Sequence, residues 1–132
     1  MSEKKLKLIE IKNNSLEITE EALQFLLSLK EQNLFIISIN GPSHDYLFNE
    51  LISKKELDSK EKNDKNIFIW NKPIELNDNY KLIIFDYGGN KSDNLFLLNI
   101  LISNYFLYFV KGDINDEIIN TLNFIILILI YK

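Results

Sequence analysis

Two patterns of apolar residues alternate along this chain: short continuous runs, and longer stretches in which apolar residues recur at helical spacing. Short apolar runs are typical of buried strands, and four of them lie at residues 34–40, 66–70, 80–85 and 105–110. Stretches with helical spacing of apolar side chains lie at residues 19–32, 44–53, 93–103 and 113–122. Because strands that alternate with helices build layered sheets, this order predicts an α/β fold with a mostly parallel central sheet flanked by helices.

The first eighteen residues predict a pair of short strands. Residues 6–11 alternate between apolar and polar side chains, two asparagines make a turn, and residues 16–18 return as the partner strand. Thr19 is the predicted N-cap of the first helix, because two glutamates follow it and favour the positive end of the helix dipole. We therefore predict one domain over residues 1–132, with the strand pair preceding an α/β core over 19–132.

The junction between the strand at 34–40 and the next helix has the frame of a phosphate-binding loop. Gly41 turns the chain, and only Pro42-Ser43-His44 separates it from Asp45, where an amphipathic stretch begins. The P-loop pattern Gly-x-x-x-x-Gly-Lys-Ser/Thr therefore lacks its second glycine, its lysine and the hydroxyl that holds magnesium. The frame indicates nucleotide-binding ancestry, and the missing residues argue against ordinary nucleotide hydrolysis.

A second loop, Asp86-Tyr87-Gly88-Gly89, follows the strand pattern at 80–85. It matches the D-x-x-G pattern of switch II in GTPases, in which the aspartate reaches magnesium and the glycine amide meets the terminal phosphate. Open α/β sheets bind ligands at the carboxyl ends of their strands, where both loops are predicted to lie. Asp86 is the candidate metal ligand and Gly89 the candidate phosphate contact, although one carboxylate without a phosphate anchor makes a poor magnesium site.

Composition narrows the chemistry that this chain can perform. The net charge of −4 gives no basic footprint, so nucleic acid is not an expected partner. With no cysteine and one histidine, neither a thiolate site nor a multi-histidine metal centre is expected. All fifteen basic residues are lysines, so the chain supplies no arginine finger.

Two apolar stretches are candidates for membrane segments. Residues 95–110 are interrupted by Asn99, Ser103 and Asn104 and predict a buried helix followed by a strand. Residues 124–130 are too short to span a bilayer, and they predict a buried strand or helix end, or a sticky tail if the domain stops there. The N-terminus has no apolar signal core, so we expect a cytoplasmic protein without a transmembrane segment; peripheral membrane contact stays open.

The order of elements over residues 6–122 resembles the N-terminal GTPase domain of guanylate-binding proteins, relatives of atlastin in the dynamin superfamily. Ile67-Phe68-Ile69-Trp70 resembles the family's Ile-Trp-x-Trp strand, and residues 83–89 resemble its Leu-Leu-Asp-Thr-Glu-Gly. Gly112-Asp113-Ile114-Asn115 resembles its Gly-x-Ile-Asn turn. The resemblance implies a P-loop NTPase-like fold, incomplete at the C-terminus, with GTP and Mg²⁺ as ligands.

The nucleotide loop departs from that family. It is about three residues short, and the P-loop lysine, the serine after it and the family's loop arginine are absent. A helix N-terminus without phosphate leaves amide donors to be satisfied. We expect Ser43, as an N-cap, and Asp45, in the first turn, to take the place of the phosphate electrostatically; as ordinary caps they would have no such role. His44 is expected at the surface as a further cap residue.

These observations predict a guanylate-binding-protein-like G domain with a degenerate nucleotide site. It would act without hydrolysis, through contacts with other G domains or protein partners across the former nucleotide face, and no residue is assigned a catalytic role. The enzyme alternative is a residual GTPase of the same family, with phosphate contacts from lysines such as Lys91 or Lys111. The remaining alternative is a gene fragment without independent function.

Overall fold

The computed structural model describes residues 3–52, 66–87, 94–110 and 112–130. Within them the chain forms eight strands and four helices. The strands are β1 (Lys5–Lys7), β2 (Ile9–Lys12), β3 (Ser15–Ile18), β4 (Asn33–Asn40), β5 (Ile67–Trp70), β6 (Ile74–Glu75), β7 (Tyr80–Tyr87) and β8 (Tyr105–Tyr108). The helices are α1 (Glu20–Ser28), α2 (His44–Ile52), α3 (Asn94–Ile102) and α4 (Asp116–Ile130).

Six of the described strands form one sheet in the order β1-β5-β7-β4-β8, with β6 paired to β7. β4 lies in the parallel part of this sheet, between β7 and β8. β1, β5 and β6 run antiparallel to their neighbours. The predicted α/β fold is confirmed: the sheet is mixed, and its parallel part is built on β4 and β7, the longest apolar strands.

The two faces of the sheet pack against different helices. Successive strand residues point to opposite faces, so Ile84 and Phe85 of β7 face opposite ways. Phe85 belongs to the larger apolar cluster, which includes residues of α1, α3 and α4. Ile84 packs in a smaller cluster with Phe48 of α2 and Trp70 of β5. Asp86, two residues after Ile84, therefore lies on the face that α2 covers.

The strand predicted over residues 6–11 is in fact two strands. β1 joins the main sheet beside β5, whereas β2 pairs with β3 in a separate two-stranded sheet. The reason is that Leu8 and Ile9 are adjacent and both buried, which a single strand cannot achieve on one face. The turn at residues 13–14 is confirmed, and both asparagines have positive φ.

Two helix starts test the capping predictions. Thr19 caps α1 as predicted, because its side chain accepts a hydrogen bond from the N–H of Ala22 at 3.3 Å. The sequence pattern places the start of the last helix at residue 113, with Asp113 as its cap, but α4 begins at Asp116. Asn115 holds the cap position, with its Oδ1 accepting from the N–H of Ile118 at 2.9 Å, and the acidic first turn of α4 follows it.

Residues 124–130 form the end of α4 rather than a strand. Ile125 is buried against the larger cluster, while Ile126 and Leu127 are more than half exposed. Among the described residues, no helix combines the length and the apolar content that crossing a bilayer requires. Residues 54–65, a mixed-charge run without apolar periodicity that predicts a solvated loop, lie outside the described residues.

Candidate functional site

Gly41 links β4 to α2 at the carboxyl end of the central parallel strand. Its φ is +102°, and a β-carbon at this position would lie 2.4 Å from the backbone oxygen of Phe109. Phe109, which follows β8, is fixed there because its N–H donates to the carbonyl of Asn40 at 2.7 Å. The turn therefore requires glycine for two reasons, the positive φ and the close approach of a neighbouring backbone.

Two of the amide groups at the start of α2 already have acceptors within the chain. The N–H of Ser43 donates to the carbonyl of Phe109 at 3.4 Å, and the N–H of His44 donates to that of Gly41 at 3.2 Å. The carbonyl of Ser43 accepts from Leu47 at 3.4 Å, which places Ser43 at the N-cap position. In a P-loop, such amide groups bind phosphate. In this chain, backbone carbonyls replace phosphate as the acceptors for the amides of Ser43 and His44.

Asp86 lies inside β7 and not, as the pattern predicted, in the loop after the strand. It is paired in register with Ile39 of β4, and its side chain is 1% exposed. The strand can continue through this aspartate because both carboxylate oxygens find partners. Gly89, the predicted phosphate contact of the same motif, lies outside the described residues.

Two basic side chains hold the carboxylate of Asp86. Lys5 Nζ lies 2.6 Å from Oδ2, and His44 Nδ1 lies 2.6 Å from Oδ1. The prediction that His44 is a surface cap is wrong, since its side chain is only 18% exposed. Lys5 is 11% exposed, and its ammonium lies 4.1 Å from the ring centroid of Phe48. A buried carboxylate is costly without such partners, and charge-assisted hydrogen bonds compensate for its lost hydration.

Asp45 completes the group at its outer edge. Its Oδ1 lies 3.3 Å from His44 Nδ1 and 3.9 Å from Lys5 Nζ, and its side chain is 41% exposed. We call Lys5, His44, Asp45 and Asp86 the ion cluster. It brings together β1, the start of α2 and the end of β7. The idea that Asp45 replaces a phosphate stays a prediction.

The ion cluster raises the pKa of His44 above its ordinary value of 6.5. Burial is the largest influence and acts in the opposite direction, because it disfavours the charged imidazolium. The hydrogen bond to Asp86, the charge of Asp86 and the charge of Asp45 together outweigh burial, although Lys5 opposes them. The imidazole therefore keeps its second proton to higher pH than an exposed histidine does.

We expect this pKa to make stability depend on pH. The folded state binds the proton more tightly than the unfolded chain, so the contribution of His44 is complete below pH 6.5 and is lost as the pH rises through the raised pKa. Urea unfolding at a series of pH values from about 6 to 9 measures this loss. In His44→Gln the decline over the same range should be smaller; an equal decline, or a wild-type stability that rises, would contradict the expectation.

A second polar group, missed by sequence reasoning, stabilises the end of β4. Asn40 and Asn99 are both fully buried, and Asn99 Nδ2 donates to Asn40 Oδ1 at 2.6 Å. Asn40 Nδ2 in turn donates to Ser38 Oγ at 2.9 Å. In the sequence, Asn99 is a polar residue that interrupts an apolar run. The signal that could have revealed the buried contact was its place at a core position of the predicted helix. The pair links α3 to β4, the strand that precedes Gly41.

Lys5 was also missed, although it contributes the ammonium of the ion cluster. Its register position opposite Trp70 puts it on the α2 face of the sheet, where it reaches Asp86 across β5. The alternating pattern of β1 contained the only signal, a lysine on the face opposite to Leu6. A lysine at such a position is usually solvent-exposed, so the pattern alone does not distinguish the two cases.

The ion cluster also contains the ligand types of a metal site. His44, Asp45 and Asp86 each offer a ligand atom, and these atoms lie within 4.8 Å of one another. However, the ammonium of Lys5 lies against both carboxylates, so a metal ion would have to displace it. Mg²⁺ also prefers an octahedral set of oxygen ligands. As they stand, these residues do not fit a bound Mg²⁺.

Comparison with known proteins identifies the family. Residues 13–129 match the family described as Guanylate-binding protein, N-terminal domain. The chain is 31% identical over 134 residues to Guanylate-binding protein 1 of Chlorocebus aethiops, covering 89% of this chain and 22% of that protein. It is 30% identical over 136 residues to Guanylate-binding protein 2 of Homo sapiens, with 91% and 23% covered. The chain thus spans less than a quarter of the length of these relatives. It belongs to the guanylate-binding protein N-terminal domain family.

Proposed function

We propose that this chain is a pseudo-GTPase, a G domain that does not hydrolyse GTP and acts through contacts with other proteins. The observation that carries the proposal is the state of Asp86. This aspartate is the first residue of the D-x-x-G match, the predicted metal ligand, yet it is buried and both of its oxygens are bound by side chains of the same chain. A carboxylate held in this way is not available to a magnesium ion.

GTP fits the site no better than Mg²⁺ does. Three residues link β4 to α2, so the turn is short, and the sequence has no P-loop lysine within it. A backbone carbonyl, that of Phe109, lies against Gly41 and accepts from the amide of Ser43. The exposed carboxylate of Asp45 adds a negative charge where the phosphates of a nucleotide would approach. We therefore propose that this site does not hydrolyse GTP.

An aromatic pair at the same edge of the sheet supports the contact role. Tyr46, on the first turn of α2, is 50% exposed and stacks on Phe109, with ring centroids 6.0 Å apart and an interplanar angle of 6°. Tyrosine and phenylalanine are enriched in protein interfaces. We propose that this pair, beside Asp45, is part of the surface that meets another G domain or a related protein partner.

A second function is favoured by one observation, the ammonium of Lys5 in the site. If Lys5 left Asp86 for a phosphate, it would supply the charge that the missing P-loop lysine supplies elsewhere. Residual GTP binding by this route would require the buried carboxylate to lose its partner, which is costly. The alternative contacts predicted from Lys91 and Lys111 fall on residues outside those described.

Phosphate release from GTP with Mg²⁺ tests both functions in one assay. We expect the wild-type domain to remain at the background rate, equal to that of Asp86→Ala, because the described part of the ion cluster does not present an open nucleotide–metal site. We also expect it to change the rate of a complete guanylate-binding protein, and Tyr46→Ala to weaken that effect. Turnover that Asp86→Ala abolishes would establish the residual GTPase, and an unchanged rate of the complete protein would contradict the contact role.

A further inference from the structure

We infer that Lys5 is a built-in cation that occupies a latent divalent-metal site formed by His44, Asp45 and Asp86. These three residues supply the ligand types that a divalent cation needs, but the ammonium of Lys5, on β1, occupies the position that a cation from solution would take. Removal of the ammonium should therefore create a protein that binds a divalent cation. The inference rests on the proposed function only in taking the nucleotide site to be unused by the wild type.

Geometry provides the first support. Lys5 Nζ lies 2.6 Å from Asp86 Oδ2 and 3.9 Å from Asp45 Oδ1, so it is a positive charge between two carboxylates of different elements. A metal ion bound by carboxylates takes a position of this kind. The three candidate ligand atoms are already within 4.8 Å of one another, so little movement is needed to place them around one ion, which would displace the second proton of the His44 imidazole.

Burial provides the second support. The side chain of Asp86 is 1% exposed and that of Lys5 is 11% exposed, which is unusual for charged residues. A neutral side chain in place of Lys5 would leave Asp86 with only His44 as a cationic neighbour. The uncompensated charge favours a cation from solution, and the imidazole and carboxylates suit Mn²⁺ or Co²⁺ better than Mg²⁺.

The aromatic ring of Phe48 explains why the ammonium is retained. The ring is fully buried, and the Lys5 ammonium lies 4.1 Å from its centroid. This contact favours an organic cation with an aliphatic stem, whereas a hydrated metal ion would meet an apolar surface there. In the wild type, Lys5 is therefore the better occupant. A neutral, flexible side chain in place of Lys5 should keep the ring of Phe48 packed and leave the three ligand side chains accessible to a metal ion.

The test uses Mn²⁺ without nucleotide, measured by electron paramagnetic resonance of the free ion and by thermal unfolding. We expect no saturable binding to wild type or to the control Lys4→Met, which removes an exposed lysine paired with Glu21. Lys5→Met should bind one Mn²⁺ saturably, with an affinity at least about tenfold above the detection limit that wild type does not reach, and with a raised melting temperature. The double variant Lys5→Met/Asp86→Asn should lose this binding.

Three results would overturn the inference. One is Mn²⁺ binding by wild type with the affinity of Lys5→Met; another is a folded Lys5→Met that binds no Mn²⁺. If Lys5→Met and the milder Lys5→Gln are unfolded without metal, Mn²⁺ must refold them, because a ligand of the folded state stabilises it, and failure to do so is the third. Since GTP is absent, these results are independent of whether the wild type hydrolyses it.

Discussion

Replacing Gly41 by alanine is expected to destabilise the domain by at least about 3 kcal/mol, because two costs add. A β-carbon at φ +102° is strained, and it would also lie 2.4 Å from the backbone oxygen of Phe109. The obstacle is a backbone atom, held by the hydrogen bond from Phe109 N–H to Asn40, so it cannot rotate away as a side chain would. Urea unfolding followed by the fluorescence of Trp70, buried beside α2, measures the loss.

Gly112 offers a matched control for this substitution. Its φ is +117°, but among the described atoms none lies within 4 Å of a β-carbon built there. Gly112→Ala should therefore show the backbone cost alone, about 1–2 kcal/mol. The difference between the two variants isolates the clash with Phe109. Equal losses in Gly41→Ala and Gly112→Ala would show that the turn can open and that the backbone of Phe109 does not close it to a phosphate.

Removal of the central carboxylate of the ion cluster is expected to cost about 3–5 kcal/mol, the range found when one partner of a buried ion pair is removed. Asp86→Ala leaves the ammonium of Lys5, only 11% exposed, with Asp45 at 3.9 Å as its remaining carboxylate partner in the cluster. His44 loses its 2.6 Å hydrogen bond at the same time. Chemical unfolding at neutral pH gives the change in free energy.

Asp45→Ala is the control within the same cluster. This carboxylate is 41% exposed and its nearest cationic atom is 3.3 Å away, so its removal should cost no more than about 1 kcal/mol. A loss for Asp86→Ala as small as that for Asp45→Ala would mean that Asp86 is hydrated and open to solution. The carboxylate of Asp86 would then be available to a magnesium ion.

The order of strands and helices was predictable because each element carries its own local period. β4, β5 and β7 are short apolar runs, and the helices around them repeat their apolar residues with helical spacing. The phase change between Leu8 and Ile9 is equally local, although the alternation over residues 6–11 predicted a single strand there. At the last helix, Asp113 and Asn115 are both good caps, and only the acidic residues after Asn115 favour the observed start.

The ion cluster could not be predicted from local sequence patterns. Lys5 and Asp86 are separated by 81 residues, and their contact depends on β1 and β7 lying on either side of β5. The pattern predicted Asp86 as a loop residue because aspartate usually ends strands. Its partners reverse that preference, since a paired aspartate can remain within a strand. Periodicity gives each residue's face, but the pairing order of distant strands decides which faces meet.

The most direct measurement of the central claim is titration of the wild-type domain with a fluorescent GTP analogue in the presence of Mg²⁺, followed by anisotropy. A complete guanylate-binding protein is the positive control. Because Lys5 and His44 hold Asp86, and Phe109 closes the turn at Gly41, we predict no saturable binding up to about 1 mM nucleotide. Saturable binding that unlabelled GTP displaces, and that Asp86→Ala removes, would contradict the account.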